Sequence, residues 1–253
     1  MLKTRVIPTL LLKKGGLYKG IKFKNHQYIG DPINTVKIFN DKEVDELIIL
    51  DISATNDRKT PDFDLLRDIA SEAFMPLAYG GGISCLQDAK KLFSIGFEKI
   101  ILNTYAVGNG ALIREIADVY GSQSVVGSID AKKSLFGGYF CYTHSGTKKT
   151  SIDPVCLAKE MESYGAGEII INSVDKDGTM SGYDLRLINI VTAAVDIPVV
   201  ALGGAGAVSD FDQAIKAGAG GVSAGSLFVF NGPHRAVLIT YPTYNELERV
   251  LHA

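Results

Sequence analysis

Two glycine pairs stand where backbone amides could hold phosphate groups. Gly81-Gly82 and Gly203-Gly204 each follow a short apolar run, and a helix-length segment then leads to a second run that ends in Asn103-Thr104 or Gly225-Ser226. Glycine lets backbone N–H groups approach an anion closely, and a helix N-terminus beside the second run would also favour phosphate. The pattern predicts two anion sites for a substrate with two anionic ends. The alternative is that the glycines only form tight turns.

Carboxylates at the ends of other apolar runs could complete this chemistry. Asp177-Gly178-Thr179 would extend the second anion site. Asp130 ends its run, where a carboxylate could act on the substrate as a general acid or base; its alternative role is to cap local amides. Asp51 lies near the end of another run, and for it a hydrogen-bonding role is at least as well supported.

Four charged residues lie at the opposite ends of such runs. They are Arg5, Glu46, Lys99 and Glu168. Side chains alternate between the two faces of a strand, so these charges share a face with the polar residues at the other ends. They should therefore converge at one pole of a closed sheet. The pattern predicts either an ion-pair cluster that plugs this pole or a gate for a small molecule.

The elements that would position these residues alternate regularly. Eight apolar runs are typical of strands covered on both faces; they span residues 5–12, 47–52, 74–79, 99–104, 124–130, 168–174, 198–202 and 221–225. Amphipathic helical segments lie at 32–40, 63–73, 86–94, 111–120, 154–164, 185–194 and 210–216. This alternation predicts a (β/α)8 TIM barrel. Because the glycine motifs recur at one offset of about half the chain, we expect duplicated half-barrels within a single domain, residues 1–253.

Two connections are longer than the turns around them, and both follow a strand on the face where barrel enzymes build their sites. The segment from Lys13 to Gly30 contains Gly15-Gly16 and is expected to form a mobile flap. The segment from Ala131 to Ser151, including Phe136, is expected to form a small hairpin over the mouth.

Composition excludes several classes of function. The net charge of −2, without a block of basic residues, argues against nucleic-acid binding. Cys85, Cys141 and Cys156 lack metal-ligand spacing and indicate reduced thiols in a cytoplasmic protein. The apolar run 6–12 is too short to span a bilayer, so we expect no membrane insertion. We expect no bound metal and no cofactor.

A series of motifs covers nearly the whole chain. Those most useful for comparison are Arg5-Val-Ile-Pro, Lys19-Gly20, Gly30-Asp31-Pro32, Leu50-Asp51-Ile52, Gly80-Gly81-Gly82-Ile83, Gly121-Ser122-Gln123, Ile129-Asp130-Ala131-Lys132, Asp177-Gly178-Thr179 and Gly203-Gly204-Ala205-Gly206. Together they closely resemble the cyclase subunit family of imidazole glycerol phosphate synthase. The resemblance implies a glutaminase partner on the N-terminal barrel face and ammonia passing through the barrel to a phosphorylated substrate. It also implies that the four charges form the ammonia gate, that the glycine clusters bind phosphate and that Lys19 lies on a mobile loop.

One position departs from the family. The resemblance implies two catalytic aspartates, of which Asp130 matches the second, whereas Leu11 occupies the place of the first. A leucine cannot transfer a proton, and loss of a positioned acid or base typically costs about 10²- to 10⁴-fold in rate. The sequence therefore predicts inefficient imidazole ring closure.

Other stretches resemble a side branch of the family that is associated with acetamidino modification of bacterial surface sugars. They are 8–13, 23–25, 39–47, 227–230 and 234–239. This resemblance implies that the barrel supplies ammonia from its glutaminase to an ATP-dependent sugar amidotransferase, which is our leading hypothesis. The alternatives are the cyclase of histidine biosynthesis and a non-catalytic scaffold that activates the glutaminase.

Overall fold

A computed structural model describes residues 4–135 and 137–251. The strands are β1 (Arg5–Lys13), β2 (Gly16–Ile21), β3 (Lys24–Gly30), β4 (Leu47–Asp51), β5 (Leu77–Gly80), β6 (Lys99–Leu102), β7 (Val125–Lys133), β8 (Tyr139–Thr143), β9 (Lys148–Lys149), β10 (Glu168–Ser173), β11 (Val199–Leu202), β12 (Gly221–Ala224), β13 (Phe230–Asn231) and β14 (Ala236–Val237). The helices are α1 (Pro32–Asp41), α2 (Phe63–Glu72), α3 (Leu86–Ile95), α4 (Ala111–Tyr120), α5 (Pro154–Ser163), α6 (Leu185–Thr192), α7 (Ser209–Lys216), α8 (Ser226–Val229) and α9 (Tyr244–Leu251).

Eight parallel strands close into a barrel, which confirms the predicted (β/α)8 fold. Their order is β1, β4, β5, β6, β7, β10, β11 and β12, and β12 pairs back onto β1 with Arg5 opposite Gly221. The half-repeat is visible in the strands themselves. β5 and β11 have equal lengths, as do β6 and β12, and each pair occupies equivalent positions in its own half.

Aspartates fix the starts of several helices. Asp31, Asp62, Asp153 and Asp184 each precede a helix, and the carboxylate of each accepts a hydrogen bond from a backbone N–H of the first turn. Such N-caps satisfy donors that have no partner within the helix. Because each cap directly follows a βα connection, it also fixes where that connection ends.

The apolar residues divide into two layers. The larger layer packs the helices against the outside of the barrel and includes Phe39, Leu66 and Phe211. A smaller cluster fills the inside of the barrel. Its members are Ile7, Ile48, Ala78, Ile101, Val126, Ile170, Val200 and Leu202. The barrel therefore has an apolar interior between its two poles.

The two long connections are more regular than their sequences indicate. The segment predicted as a flap forms a hairpin of β2 and β3 that pairs with the end of β1, with Leu11 opposite Tyr18. The predicted hairpin over the mouth is present as β8, which pairs with β7, and the short β9. Phe136 lies outside the described residues.

Several strand boundaries differ from the sequence prediction by one to three residues. Strand β5 begins at Leu77, and Phe74, expected at its start, is 88% exposed. Strand β7 continues beyond Asp130 to Lys133, because its end pairs with β8. Asn103-Thr104 follow β6 but enter a turn, and helix α4 begins only at Ala111, so no helix N-terminus stands beside them.

Candidate functional site

A cavity of about 360 Å³ opens at the C-terminal ends of the barrel strands. The predicted site residues that line it are Lys19, Asp51, Gly81, Gly82, Asn103, Thr104, Asp130, Asp177 and Gly225. Leu11 also lines the cavity and is 9% exposed. Leu11, which the resemblance predicts to stand in place of the family's first aspartate, thus lines the same cavity as Asp130.

Asp130 is held by amides from the strands on both sides. Its Oδ1 accepts a hydrogen bond of 3.1 Å from Nδ2 of Asn172, and its Oδ2 lies 3.4 Å from Nδ2 of Asn103. The pKa of Asp130 is raised from 3.8 to about 7, mainly by burial; the hydrogen bond from Asn172 opposes the rise, and the charge of Asp177 adds to it. A carboxyl group with this pKa can both accept and donate a proton near neutral pH.

The first glycine cluster forms a close turn against β4. Gly81 and Gly82 have φ values of +124° and +71°, and a Cβ on Gly81 would collide with the carbonyl oxygen of Asp51. The Asp51 carboxylate accepts bonds from the backbone N–H groups of Ser53 and Ala54 at 2.8 and 2.9 Å. It therefore holds the β4 turn, as the hydrogen-bonding alternative for Asp51 requires.

Thr104 connects this cluster to the second long connection. Its Oγ1 accepts a hydrogen bond of 3.0 Å from the backbone N–H of His144 and donates one of 3.3 Å to Oδ1 of Asn103. The turn between β8 and β9 is thereby attached to the rim of the cavity.

The second glycine cluster lies beneath the β2–β3 hairpin. Gly203, Gly204, Gly178 and Ser226 are not among the residues that line the cavity in the described part of the chain. Gly178 packs against the backbone of Gly20. The two predicted anion clusters thus differ in accessibility: the first faces the cavity, whereas of the second only Gly225 and Asp177 line it.

A buried ion pair holds the β2–β3 hairpin in place. Lys19 Nζ lies 2.7 Å from Oδ1 of Asp177, and both side chains are at least nine-tenths buried. The backbone N–H of Lys22 donates a 2.8 Å hydrogen bond to the carbonyl of Asp177. The second oxygen of the Asp177 carboxylate has no hydrogen-bond partner within the described residues.

Arg235 makes contacts at the site that the sequence does not predict. Its guanidinium donates to the carbonyl of Gly178 at 2.9 Å and to Oγ of Ser226 at 3.4 Å, and it stacks over the ring of Phe230. This places a cation beside the second glycine cluster. Its only sequence signal is a basic residue after Gly232-Pro233, which does not reveal the contact.

The four predicted charges form a closed ring at the opposite pole. Glu46 and Glu168 each bridge Arg5 and Lys99; the Lys99 Nζ contacts measure 3.0 and 2.9 Å. The Glu46 and Glu168 side chains are 5% and 8% exposed, whereas those of Lys99 and Arg5 are 19% and 34% exposed. Burial lowers the pKa of Arg5, but Glu168 and Glu46 raise it above its usual value.

Metal-ligand clusters and membrane-spanning helices are both absent from the described part of the chain. Residues 4–135 and 137–251 contain no cluster of three histidine, cysteine, aspartate or glutamate side chains suited to a metal ion. None of their helices is long and apolar enough to cross a bilayer.

Fold and site together define a class: a (β/α)8 barrel of two similar halves, with glycine turns suited to phosphate at one pole and a ring of charges at the other. Residues 5–233 match the family model described as "Histidine biosynthesis protein". The chain belongs to this family, and within it to the cyclase subunits of imidazole glycerol phosphate synthase, which confirms the resemblance at this level.

Similar proteins span the whole chain. One, from Pseudomonas aeruginosa, is named "Putative imidazole glycerol phosphate synthase subunit hisF2"; it is 49% identical over 98% of this chain and 99% of its own length. A similarly named HisF protein of Leptospira interrogans is 50% identical over 100% of both chains. The imidazole glycerol phosphate synthase subunit HisF of Streptomyces avermitilis is 43% identical, covering 90% of this chain and 91% of its own. None of these names refers to surface sugars.

Proposed function

We propose that this chain is the barrel subunit of a glutamine-dependent amidotransferase of the imidazole glycerol phosphate synthase type. A glutaminase binds at the charged ring, and ammonia passes along the barrel axis to the cavity around Asp130, where it reacts with a phosphorylated substrate. The observation that carries this proposal is the arrangement along one axis: charged ring, apolar interior and cavity.

The ring suits a gate better than a structural plug. Replacing a buried ion pair by apolar residues is often neutral or stabilising, so such a cluster is weak evidence for stability alone. Lys99 and Arg5 also reach solvent at this pole, which leaves them able to move aside. Ammonia is small and neutral, so an interior lined by residues such as Ile48 and Val126 does not impose the cost of burying a charge.

Asp130 is the residue that can handle protons in the cavity. An attacking ammonia nitrogen becomes positively charged and must lose a proton, which a deprotonated Asp130 can accept. With its pKa near 7, the same group can return that proton to a leaving oxygen. Leu11 offers no second group of this kind across the site.

Two reactions fit this arrangement. The names of the relatives favour ring closure by an imidazole glycerol phosphate synthase cyclase. The presence of Leu11 in the cavity favours a reaction that needs only one carboxyl group or takes place on another protein. Delivery of ammonia for acetamidino formation on a surface sugar, by an ATP-dependent amidotransferase, is the second candidate.

Passage of ammonia through the barrel is tested in the complex with the glutaminase encoded in the same organism. We expect Lys99→Ala and Glu168→Gln to reduce product formed from glutamine more than product formed from added ammonium, since only the first route crosses the ring. Lys90→Ala, on the exposed surface of α3, is the matched control. If the ring variants assemble and leave product per glutamine unchanged, the chain is a scaffold and the proposal is wrong.

The reaction is tested by ammonia-dependent cyclisation of the family substrate. Low turnover that increases by about 10²-fold or more in Leu11→Asp, but not in Leu11→Asn, would support the second candidate. Turnover of the unmodified chain at the level of the Streptomyces relative would instead assign it to ring closure.

A further inference from the structure

A second concavity, of about 750 Å³, adjoins the cavity at its outer rim. We name it the basic groove, after Arg58, Lys59 and Lys148, which line it. No aspartate or glutamate lines it in the part of the chain that the structure describes, and none of the three cations lies within 4.0 Å of a carboxylate there. The basic groove therefore presents positive charge that no described acidic group neutralises.

The cavity itself has the opposite charge balance. Asp51, Asp57, Asp130 and Asp177 line it with only two lysines, Lys13 and Lys19. Lys19 is paired with Asp177 beneath the hairpin. An anion held at Gly81-Gly82 thus has glycine amides on one side and carboxylates on the other. Lys13 lies over the ring of Tyr18. The basic groove, which shares Gly82 with the cavity, adds three further cations beside the glycine turn.

The groove and the first anion cluster are continuous. Gly82, Thr104 and Tyr105 line both concavities. The ring of Tyr105 is 43% exposed at their junction. A phosphate at the glycine turn would therefore lie next to the basic groove, and a second anionic group joined to it would be close to the groove cations.

Local contacts hold one lysine at the groove. Lys148 Nζ lies 3.1 Å from Nε2 of His144, whose Nδ1 is 3.0 Å from Oγ1 of Thr143. Burial and the charge of Lys148 lower the pKa of His144, so the neutral ring can accept from the ammonium group. Thr104 fixes the backbone of His144 from the cavity side. Lys148 is thus connected through His144 to Thr104 of the first anion cluster.

We propose that the basic groove binds the second phosphate of a diphosphate ester, such as a nucleoside diphosphate or lipid diphosphate, whose first phosphate lies at Gly81-Gly82. This rests on the first anion site of the proposed function and specifies the class of substrate. The two ends of such a ligand would contact different groups: backbone amides at the glycine turn, and Lys59 and Lys148 in the groove.

The test is calorimetric titration of the full chain with inorganic orthophosphate and pyrophosphate at one ionic strength. We expect pyrophosphate to bind at least about fivefold more tightly. Lys59→Ala and Lys148→Ala should each weaken pyrophosphate binding by about two- to fivefold and leave orthophosphate nearly unchanged, since each removes one exposed charge contact. Lys90→Ala, which lines neither concavity, should change neither ligand.

Three results would overturn the proposal: equal affinity for the two anions, unchanged pyrophosphate binding in the Lys59→Ala/Lys148→Ala double variant, or equal losses for both anions in that variant. Both lysines are exposed, and thermal unfolding will establish that the variants fold. Thr104→Ala distinguishes failure of the basic-groove proposal from failure of the first anion site on which it rests. If Thr104→Ala leaves orthophosphate binding intact, the assignment of the first anion site is wrong, regardless of how pyrophosphate binds in the groove.

Discussion

Asn172 and Asp130 lie directly opposite each other on paired strands, and the amide of Asn172 donates a 3.1 Å hydrogen bond to the Asp130 carboxylate. The Oδ1 of Asn172 has no hydrogen-bond partner within the described residues although it is buried. A buried acceptor without a partner costs free energy. The side chain of Asn172 therefore donates to Asp130 while its own carbonyl oxygen stays without a partner. This makes Asn172 a positioning residue in the proposed mechanism.

The first prediction concerns the pH dependence of the ammonia-dependent reaction. If Asp130 acts as a base, activity should rise with pH through about 7, where its carboxyl group deprotonates. The bond from Asn172 lowers the pKa of Asp130. Asn172→Ala should therefore move the acidic limb of kcat/KM to higher pH.

Asn103→Ala is the matched comparison, because its amide is 3.4 Å from Asp130 Oδ2 and should shift the limb less. Asp130→Asn should lose about 10²- to 10⁴-fold in activity and abolish the limb. A limb that stays in place in Asn172→Ala would show that another group titrates.

The second prediction concerns stability. The pKa of Asp130 is raised in the folded state, so this group favours folding while protonated, and that contribution is lost as the pH rises from about 4 through about 7. Asparagine does not titrate, so Asp130→Asn should not show this loss of stability with rising pH. We expect the Tm of Asp130→Asn, relative to the unmodified chain, to increase by at least about 3 °C between about pH 5 and pH 8 in calorimetric scans. A constant difference would indicate that Asp130 keeps its ordinary pKa.

The third prediction concerns the charged ring. Glu46→Gln leaves Arg5 and Lys99 facing a single carboxylate. Breaking a fully buried pair typically costs about 3–5 kcal/mol; because both cations reach solvent, we expect about 1–3 kcal/mol lower free energy of unfolding in urea. Glu72→Gln, which removes the exposed pair with Lys37, should cost less than about 0.5 kcal/mol. Equal costs would mean that the ring is not buried.

The fourth prediction concerns the hairpin over the second glycine cluster. Lys19→Met would leave the buried Asp177 carboxylate unpaired. We expect local opening of β2 and β3, measured as faster amide hydrogen exchange across residues 16–30 with little change in the barrel strands. Lys24→Met, on the exposed face of the same hairpin, is the control. Unchanged exchange in Lys19→Met would show that other contacts hold the hairpin closed.

Strand alternation was sufficient to predict the ring from the sequence. Glu46 and Glu168 are far apart along the chain, but their parity relative to strand residues determines which way they point. Barrel closure then brings them to one pole. Helix bounds were likewise predicted to within two residues for α1 to α7, because amphipathic period and capping aspartates are local signals. Helices α8 and α9 were not predicted.

The placement of the second cluster beneath the hairpin could not be predicted in the same way. Whether Gly178 faces a cavity depends on the path of the β2–β3 hairpin, because Gly178 packs against the backbone of Gly20 and the ion pair between Lys19 and Asp177 joins the hairpin to a residue far along the chain. Arg235 reaches Gly178 through a similarly distant contact. Phe74 was assigned to a strand because it is apolar, and only the register of β5 shows that it lies outside. These features depend on tertiary placement, for which the local sequence carries no signal.

Strand β7 does not end at Asp130 but continues, so that Asp130 is paired with Asn172 of β10 on one side and with Tyr142 of β8 on the other. The main chain at Asp130 is thus held by strand pairing on both sides. What distinguishes one chemistry from another is a side chain projecting from a different strand, such as Leu11 on β1. In a barrel built this way, an exchange of one side chain across the axis can alter the chemistry of the cavity without touching the strand pairing that holds Asp130.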